Sequence, residues 1–452
     1  MRKRIVIVGT SSAGISAAVA ARKTDLDAEI ILISEETRWP YSRCGLPFVI
    51  SNEVPCFKEV RLFPPSYYRM MKLDLRAGIS VKSVNTETKI VQMETLDRQR
   101  ELVEYDRLVL CTGAAASIPP IEGIEKHGVF SLRTIEDGIR IQKWLENAEN
   151  AIVVGSGFIG LELAHALKNL DINTTVFERC SHVLPEWFDK DMADLVHKKV
   201  QKQGVKVIVN AKVEEILGSD YVTGVRAGGE QYNADTVLLA TGARARTQLA
   251  KQMGIQLGKF GAIQVNSRMQ TSIPEIYAAG DCVESFNLIT GQATLSLLGT
   301  TAERQGKIAG INAAGGYATF PGVLHSVVSS MFNFEIGATG FTERYAQQNG
   351  WETTAGTITA KTRAEYFPGG KPITIKVIVE NDLGKIIGGQ IIGGEEVTQR
   401  VNLLSVAIQN QMSVSELAKA DTCYAPSVCS PWEPVILAAE TTMMRHNRRG
   451  DP

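Results

Sequence analysis

The segment Ala151-Ile152-Val153-Val154-Gly155-Ser156-Gly157-Phe158-Ile159-Gly160 reads as a strand, a turn and a helix start within ten residues. Its four apolar residues fit a strand buried in a parallel sheet. Gly155, Gly157 and Gly160 then fill every glycine position of G-x-G-x-x-G, and an apolar helix over about 161–170 follows. A second strand, 173–177, ends on Glu178. In that context the glycines have definite uses: a tight turn, room for a pyrophosphate, and close packing of helix on strand. The helix start offers N–H groups and a positive dipole end to a phosphate. Glu178 suits a ribose 2′-hydroxyl and repels a 2′-phosphate, which favours NADH over NADPH, although Arg179 beside it works the other way.

Working outward, the same pattern occurs once before. Residues 5–8 form a β-branched strand, Gly9-Thr10-Ser11-Ser12-Ala13-Gly14 the turn, 15–23 an Ala-rich helix, and 29–33 a second strand ending in Ser34-Glu35-Glu36. Gly9 and Gly155 stand 146 residues apart, as do Gly14 and Gly160, so the two units are internal repeats. Ser11 replaces the middle glycine, which restricts backbone approach there. Glu35 is the first choice for the ribose hydroxyls, with Glu36 next to it. Each unit closes on a buried strand and a small-residue turn, Leu110-Cys111-Thr112-Gly113 and Leu239-Ala240-Thr241-Gly242. Cys111 reads as structural, residues 52–104 as connecting structure with charged helix and strand pieces, and Pro119-Pro120 as lying near a domain boundary. Two cradles in one chain imply two nucleotides, an electron donor and an acceptor.

Between the cradles lies Pro40-Tyr41-Ser42-Arg43-Cys44-Gly45-Leu46-Pro47-Phe48. Its prolines and glycine put Cys44 in a loop or at a helix start, where the sulfur stays available; the plain alternative is a buried inert thiol. Position 49 is Val49, so no C-x4-C pair forms, and a redox role for Cys44 requires an external sulfur or a sulfenic acid. At 452 residues, 44% hydrophobic and 21% charged, the chain has the bulk of about three domains. A net charge of −1 leaves no electrostatic footprint for nucleic acid. Seven scattered cysteines are not the disulfide framework of a small secreted domain, and no metal-ligand pattern stands out. The apolar run after Arg2-Lys3-Arg4 stops at Gly9, and no stretch reaches the ~18 apolar residues of a membrane span. A cytoplasmic protein is expected.

The resemblance becomes plain at Thr271-Ser272-Ile273-Pro274-Glu275-Ile276-Tyr277-Ala278-Ala279-Gly280-Asp281. With the two glycine motifs, this resembles the FAD-dependent pyridine nucleotide-disulfide oxidoreductases over essentially the whole chain. The resemblance implies an α/β fold with two Rossmann-like dinucleotide-binding domains, for FAD and NAD, and a C-terminal α+β dimerisation domain. The implied boundaries are 1–118 with 244–320 for FAD, 119–243 for NAD(P)H, and 321–452 for dimerisation. It gives Gly280 and Asp281 the flavin's ribityl chain and phosphate, and Thr300 and Thr301 a helix start beside the flavin ring. FAD contacts are also implied for Gly9, Ser11, Ser12, Ala13, Gly14, Glu35, Glu36, Arg43, Thr112 and Gly113. Gly155, Gly157, Ile159, Gly160, Glu162, Glu178 and Gly242 fall to the nicotinamide cofactor. Phe158 stands at an aromatic gate over the flavin.

The single-cysteine members resemble this chain best: coenzyme A-disulfide reductases, NADH oxidases and persulfide reductases. They imply a homodimer passing electrons from NAD(P)H through FAD to Cys44, which reduces a disulfide, polysulfide or persulfide, coenzyme A-linked or not. Oxygen or peroxide as acceptor, with Cys44 as a sulfenic acid, is the alternative. A reductase for a small redox protein is another, since the stretch before Cys44 is similar to ferredoxin-reductase-like relatives. Thr422-Cys423-Tyr424-Ala425-Pro426 matches the Tyr-Ala-Pro of the coenzyme A-type members, which brings Tyr424 to the partner's Cys44 as a proton donor, with Tyr366 a second choice. Two features depart from that pattern. Arg43 stands where asparagine precedes the cysteine, leaving Arg22 and Lys23 either as phosphate contacts or as a solvated helix face. Cys423 and Cys429 flank Tyr424, either as an extra dithiol relay or as unrelated interface thiols.

Overall fold

The computed structural model describes residues 2–449, which fall into two compact units. The first comprises residues 2–118, 132–140 and 242–323. Its centre is a parallel sheet in the order Ile276–Ala278, Arg107–Leu110, Arg4–Val8, Glu29–Ser34, Leu73–Ala77. The strands are short and apolar because both faces are covered: Ile5, Val6, Ile7, Ile30, Leu32 and Val109 are all buried. Helices Ser12–Thr24 and Gly299–Ala314 pack on this sheet and on each other. Glycine makes that approach feasible, since a Cβ on Gly306 or Gly310 would lie 2.2 or 2.1 Å from the carbonyl oxygens of Ala13 and Ala17. Both helices therefore start at the same end of the sheet.

Residues 52–104 hold helix and strand pieces, as expected. They carry helix Pro65–Met70 and a three-stranded antiparallel sheet, Ile79–Asn85, Ile90–Thr95 and Arg100–Glu104. Its outer faces are charged, and only Val84, Val91, Met93 and Val103 are buried, which thins the alternation that marks a strand.

The second unit comprises 119–131, 141–241 and 324–449. Its parallel sheet runs Lys206–Ile208, Asn173–Phe177, Asn150–Val154, Thr236–Leu239, Val129–Ser131. The order about the central strand repeats that of the first unit, as the glycine repeats require. The outermost strand, however, comes from before the central one in sequence rather than after it. The C-terminal part is an antiparallel sheet in the order Val327–Met331, Phe334–Gly340, Ile386–Gly393, Pro372–Glu380, Thr353–Lys361. Helices Val397–Gln409 and Pro434–Asn447 cover it. Among the described residues no helix is long and apolar enough to cross a membrane.

Candidate active site

In the first unit the strand ends and the two helix starts enclose a cavity of about 380 Å³. Gly9 makes the turn above the central strand at φ +107°, and a Cβ there would lie 2.0 Å from the Cys111 carbonyl oxygen. Only glycine fits, so the backbone of residues 9–13 lies flat along the cavity wall. Helix Ser12–Thr24 has neither a side-chain cap nor an acidic residue in its first turn, so its N–H groups and dipole suit a bound pyrophosphate. Helix Gly299–Ala314 is uncapped in the same way. These features fit a dinucleotide.

The acids expected at the ribose sit in different company. Glu35, at the cavity rim, pairs with Arg246, while Glu36 accepts from Tyr41 Oη at 2.5 Å and pairs with Arg43. Burial raises the Tyr41 pKa, so the phenol stays a donor to Glu36. Arg43 also donates to the carbonyl of Arg133, and Arg133 pairs with Asp281 at 2.8 Å. A continuous chain of charge therefore runs from the end of strand Glu29–Ser34 to the Gly280-Asp281 turn. Gln305 fixes that turn from behind: wholly buried, it accepts the Gly280 N–H at 2.9 Å and donates to Ser285 Oγ at 2.6 Å.

Cys44 lies in a 3₁₀ turn, Arg43–Gly45, that runs into helix Leu46–Ile50. It is exposed and lines the cavity, with its sulfur 3.9 Å from where a Cβ on Gly299 would stand. The thiol thus faces the start of helix Gly299–Ala314, whose positive end favours negative charge on sulfur. Thr112 and Gly113 line the same cavity, and Thr112 Oγ1 donates to the Arg246 carbonyl at 2.7 Å. Thr300 is exposed at the helix start, whereas Thr301 is buried against Ser296 at 2.9 Å. Cys111 is buried, and burial pushes its thiol pKa well up, as an inert structural cysteine requires.

In the second unit Gly155 turns at φ +103° and helix Phe158–Asn169 starts without a side-chain cap. Gly157 and Gly160 occupy the motif's other places; no atom lies within 4 Å of a Cβ on Gly157, and one on Gly160 would meet the Gly155 carbonyl at 2.0 Å. Glu178 is buried and accepts from Ser156 N–H (3.0 Å), Ser156 Oγ (2.7 Å) and Cys180 N–H (2.9 Å). Burial works against its charge, but these donors outweigh it and leave its pKa below the ordinary value. Glu162 goes the other way: burial raises its pKa against a 2.6 Å bond from Ser329. Phe158 meets Trp187 edge to face at 5.8 Å, and Ile159 is exposed. Tyr366 and Tyr424 share a 3.0 Å hydroxyl contact with 75% and 47% of their surfaces exposed. Cys423 is exposed beside them.

Arg22 differs from its expected role. It is 5% exposed, and its guanidinium donates to the carbonyls of Met71 (2.9 Å), Leu26 (2.8 Å) and Lys72 (3.0 Å). It ties the end of its helix to the chain entering strand Leu73–Ala77 and is buried away from any phosphate arriving from solvent; Lys23 is exposed. Sequence reasoning missed Arg133, Gln305 and Arg246. No local pattern marks them, because their partners are distant in sequence.

Two nucleotide cradles and an accessible thiol on the wall of one of them define a two-cofactor redox enzyme. The chain belongs to the pyridine nucleotide-disulphide oxidoreductase family, whose pattern matches residues 3–315, with the family's dimerisation domain at 328–433. Its cofactors are FAD and NAD(P)H. It is 43% identical to an NADH oxidase of Methanocaldococcus jannaschii, over 98% of this chain and 99% of that one. It is 33% identical to a CoA-dependent NAD(P)H sulfur oxidoreductase of Pyrococcus abyssi, over 97% and 98%. The structure of an NAD-dependent persulfide reductase from A. fulgidus superimposes with a TM-score of 0.95 at 36% identity, covering 99% of this chain and 84% of that one.

Proposed function

We propose that the protein is an NADH-dependent reductase of low-molecular-weight disulfides, polysulfides or persulfides, with Cys44 as the thiol that meets the acceptor. The observation that carries this reading is the place of Cys44, exposed on the wall of the nucleotide cavity and facing an uncapped helix start. FAD, when bound, would supply an acceptor for the nicotinamide hydride and an electron pair for sulfur. The chain's own groups do the rest. Residues 9–14 and the start of helix Gly299–Ala314 hold the anionic parts of the flavin nucleotide, and Asp281, set by Arg133 and Gln305, takes its ribityl side. Glu178 selects NADH, since a 2′-phosphate would meet its buried carboxylate. In this reading residues 1–118 with 244–320 bind FAD, 119–243 bind the nicotinamide nucleotide, and 321–452 form a cytoplasmic homodimer. There the Tyr424 hydroxyl donates a proton to the thiolate leaving the partner's Cys44.

Coenzyme A-linked acceptors are included because the relative from Pyrococcus abyssi is CoA-dependent. The second reading, an NADH oxidase, rests on the relative from Methanocaldococcus jannaschii. Steady-state NADH consumption with polysulfide, coenzyme A disulfide and oxygen as separate acceptors tests the choice. The reductase reading expects kcat/KM for a sulfur acceptor to exceed that for oxygen by at least about tenfold, which is about 1.4 kcal/mol of transition-state preference. A preference for oxygen would establish the oxidase.

A further inference from the structure

The loop between helices Val414–Leu417 and Pro434–Asn447 carries Cys423, Tyr424 and Cys429. The helix leading into it starts on a capping box of Ser413 and Glu416. At the loop's far end, buried Arg400 grips both carboxylate oxygens of Glu433 at 2.6 and 3.0 Å. Within the loop the chain folds back around one sulfur. Cys429 Sγ accepts the Ala425 N–H at 3.1 Å and lies 3.5 Å from the carbonyl oxygen of Cys423. The two cysteines thus lie on one tight turn, and joining them closes a short loop at small entropic cost. Cys423 is exposed, and Tyr424, Val428 and Trp432 around it are exposed too.

We propose that Cys423 and Cys429 are a second redox pair that cycles between dithiol and intraloop disulfide, with a small disulfide or polysulfide as oxidant. The Cys423 thiolate attacks one sulfur of the acceptor RS–SR; its S–S bond breaks, RS⁻ leaves and Cys423–S–SR forms. The Cys429 thiolate, held by the Ala425 N–H, then attacks the Cys423 sulfur and releases the second RS⁻. The two thiol protons pass to the two leaving thiolates, so the pair loses two electrons and the acceptor becomes two RSH. One NADH, oxidised to NAD⁺ by the enzyme's own reductase activity, restores the two thiols. The pair rests on the proposed reductase function only for this last supply of electrons.

The test uses the purified flavin-loaded protein, oxidised with hydroxyethyl disulfide and then freed of it. One portion is alkylated, digested and mass-mapped; a second is first incubated anaerobically with NADH. The expected result is an unalkylated Cys423–Cys429 disulfide in the first portion and two alkylated cysteines in the second. An anaerobic NADH titration of the oxidised protein should show a loss of one NADH per subunit in the Cys423→Ser/Cys429→Ser variant. Alkylation of both cysteines in the first portion, or a disulfide that survives NADH while the flavin is reduced, overturns the proposal. A flavin that NADH fails to reduce would instead overturn the reductase reading, and the presence or absence of the mapped disulfide would then decide for or against the pair.

Discussion

Glu178 shows how much one buried side chain settles. Its carboxylate is held below its ordinary pKa by donors from Ser156 and Cys180, so in the proposed reading it stays charged where a ribose hydroxyl or a 2′-phosphate would arrive. Glu178→Ala is expected to lower kcat/KM for NADH by roughly tenfold, the loss of about one charge-assisted hydrogen bond, and to raise the NADPH-to-NADH ratio, with Arg179 left to meet the phosphate. An unchanged ratio in steady-state assays would remove Glu178 from the specificity site. His325 makes a different point. Burial holds its pKa down to about 4, and its backbone is left-handed at φ 56°. Between its ordinary value near 6.5 and about 4, the unfolded chain takes up a proton that the folded chain refuses. Stability is therefore lost as pH falls through that window, by roughly 3 kcal/mol in full. His325→Asn, which tolerates the backbone, should flatten the acid limb of a denaturation-against-pH profile; an unaltered limb would show that other groups set it.

At the level of elements, the close pair Ser12–Thr24 and Gly299–Ala314 carries most of the consequence, because both helix starts frame the cavity. Gly306→Val places methyl groups where a Cβ alone already meets the Ala13 carbonyl at 2.2 Å. The expected cost is about 3 kcal/mol, the upper range for overpacking, together with a lower FAD-to-protein ratio after purification. Thermal unfolding and the flavin absorbance read the two effects, and wild-type values in both would contradict this packing account. The elements themselves were largely legible in the sequence. Strand Asn173–Phe177 lies where its apolar pattern puts it, and the 3₁₀ turn of Cys44 falls where Pro40, Gly45 and Pro47 interrupt regular structure. Strand pieces within 52–104 were legible, but their pairing into the antiparallel sheet over Ile79–Glu104 was not, since its half-exposed strands alternate weakly. The ion pair of Arg133 with Asp281 spans 148 positions, and no local period reports such a pairing. Arg22 misled for the same reason: its charge suggested solvent, while its partners, Met71 and Lys72, come from a distant segment.

Across the larger assembly of elements, the second unit is locked by Lys376 on strand Pro372–Glu380. It is 4% exposed and sits within 3.2 Å of Asp189, 2.9 Å of Asp191 and 2.6 Å of Glu343. Burial works against its charge, yet Asp189, Glu343 and Asp191 prevail and raise its pKa. A raised lysine pKa adds stability that is complete below the unfolded value near 10.4 and is lost as pH rises through the folded one. Lys376→Met should destabilise the protein by roughly 3 kcal/mol at neutral pH, since it strands carboxylates around an apolar side chain. A urea midpoint that barely moves would argue that solvent already screens the cluster.

The reductase account stands on Cys44, and anaerobic titration with NADH tests it most directly, in wild type and in Cys44→Ser. Apart from any uptake at a Cys423–Cys429 disulfide, the account expects wild type to take up two reducing equivalents per flavin beyond the flavin itself and to develop a long-wavelength charge-transfer band. It expects Cys44→Ser to lose that band and those equivalents while its flavin is still reduced, with turnover of sulfur acceptors falling on the order of 10³-fold. Equal uptake and equal spectra in the two proteins would make Cys44 a bystander and contradict the account.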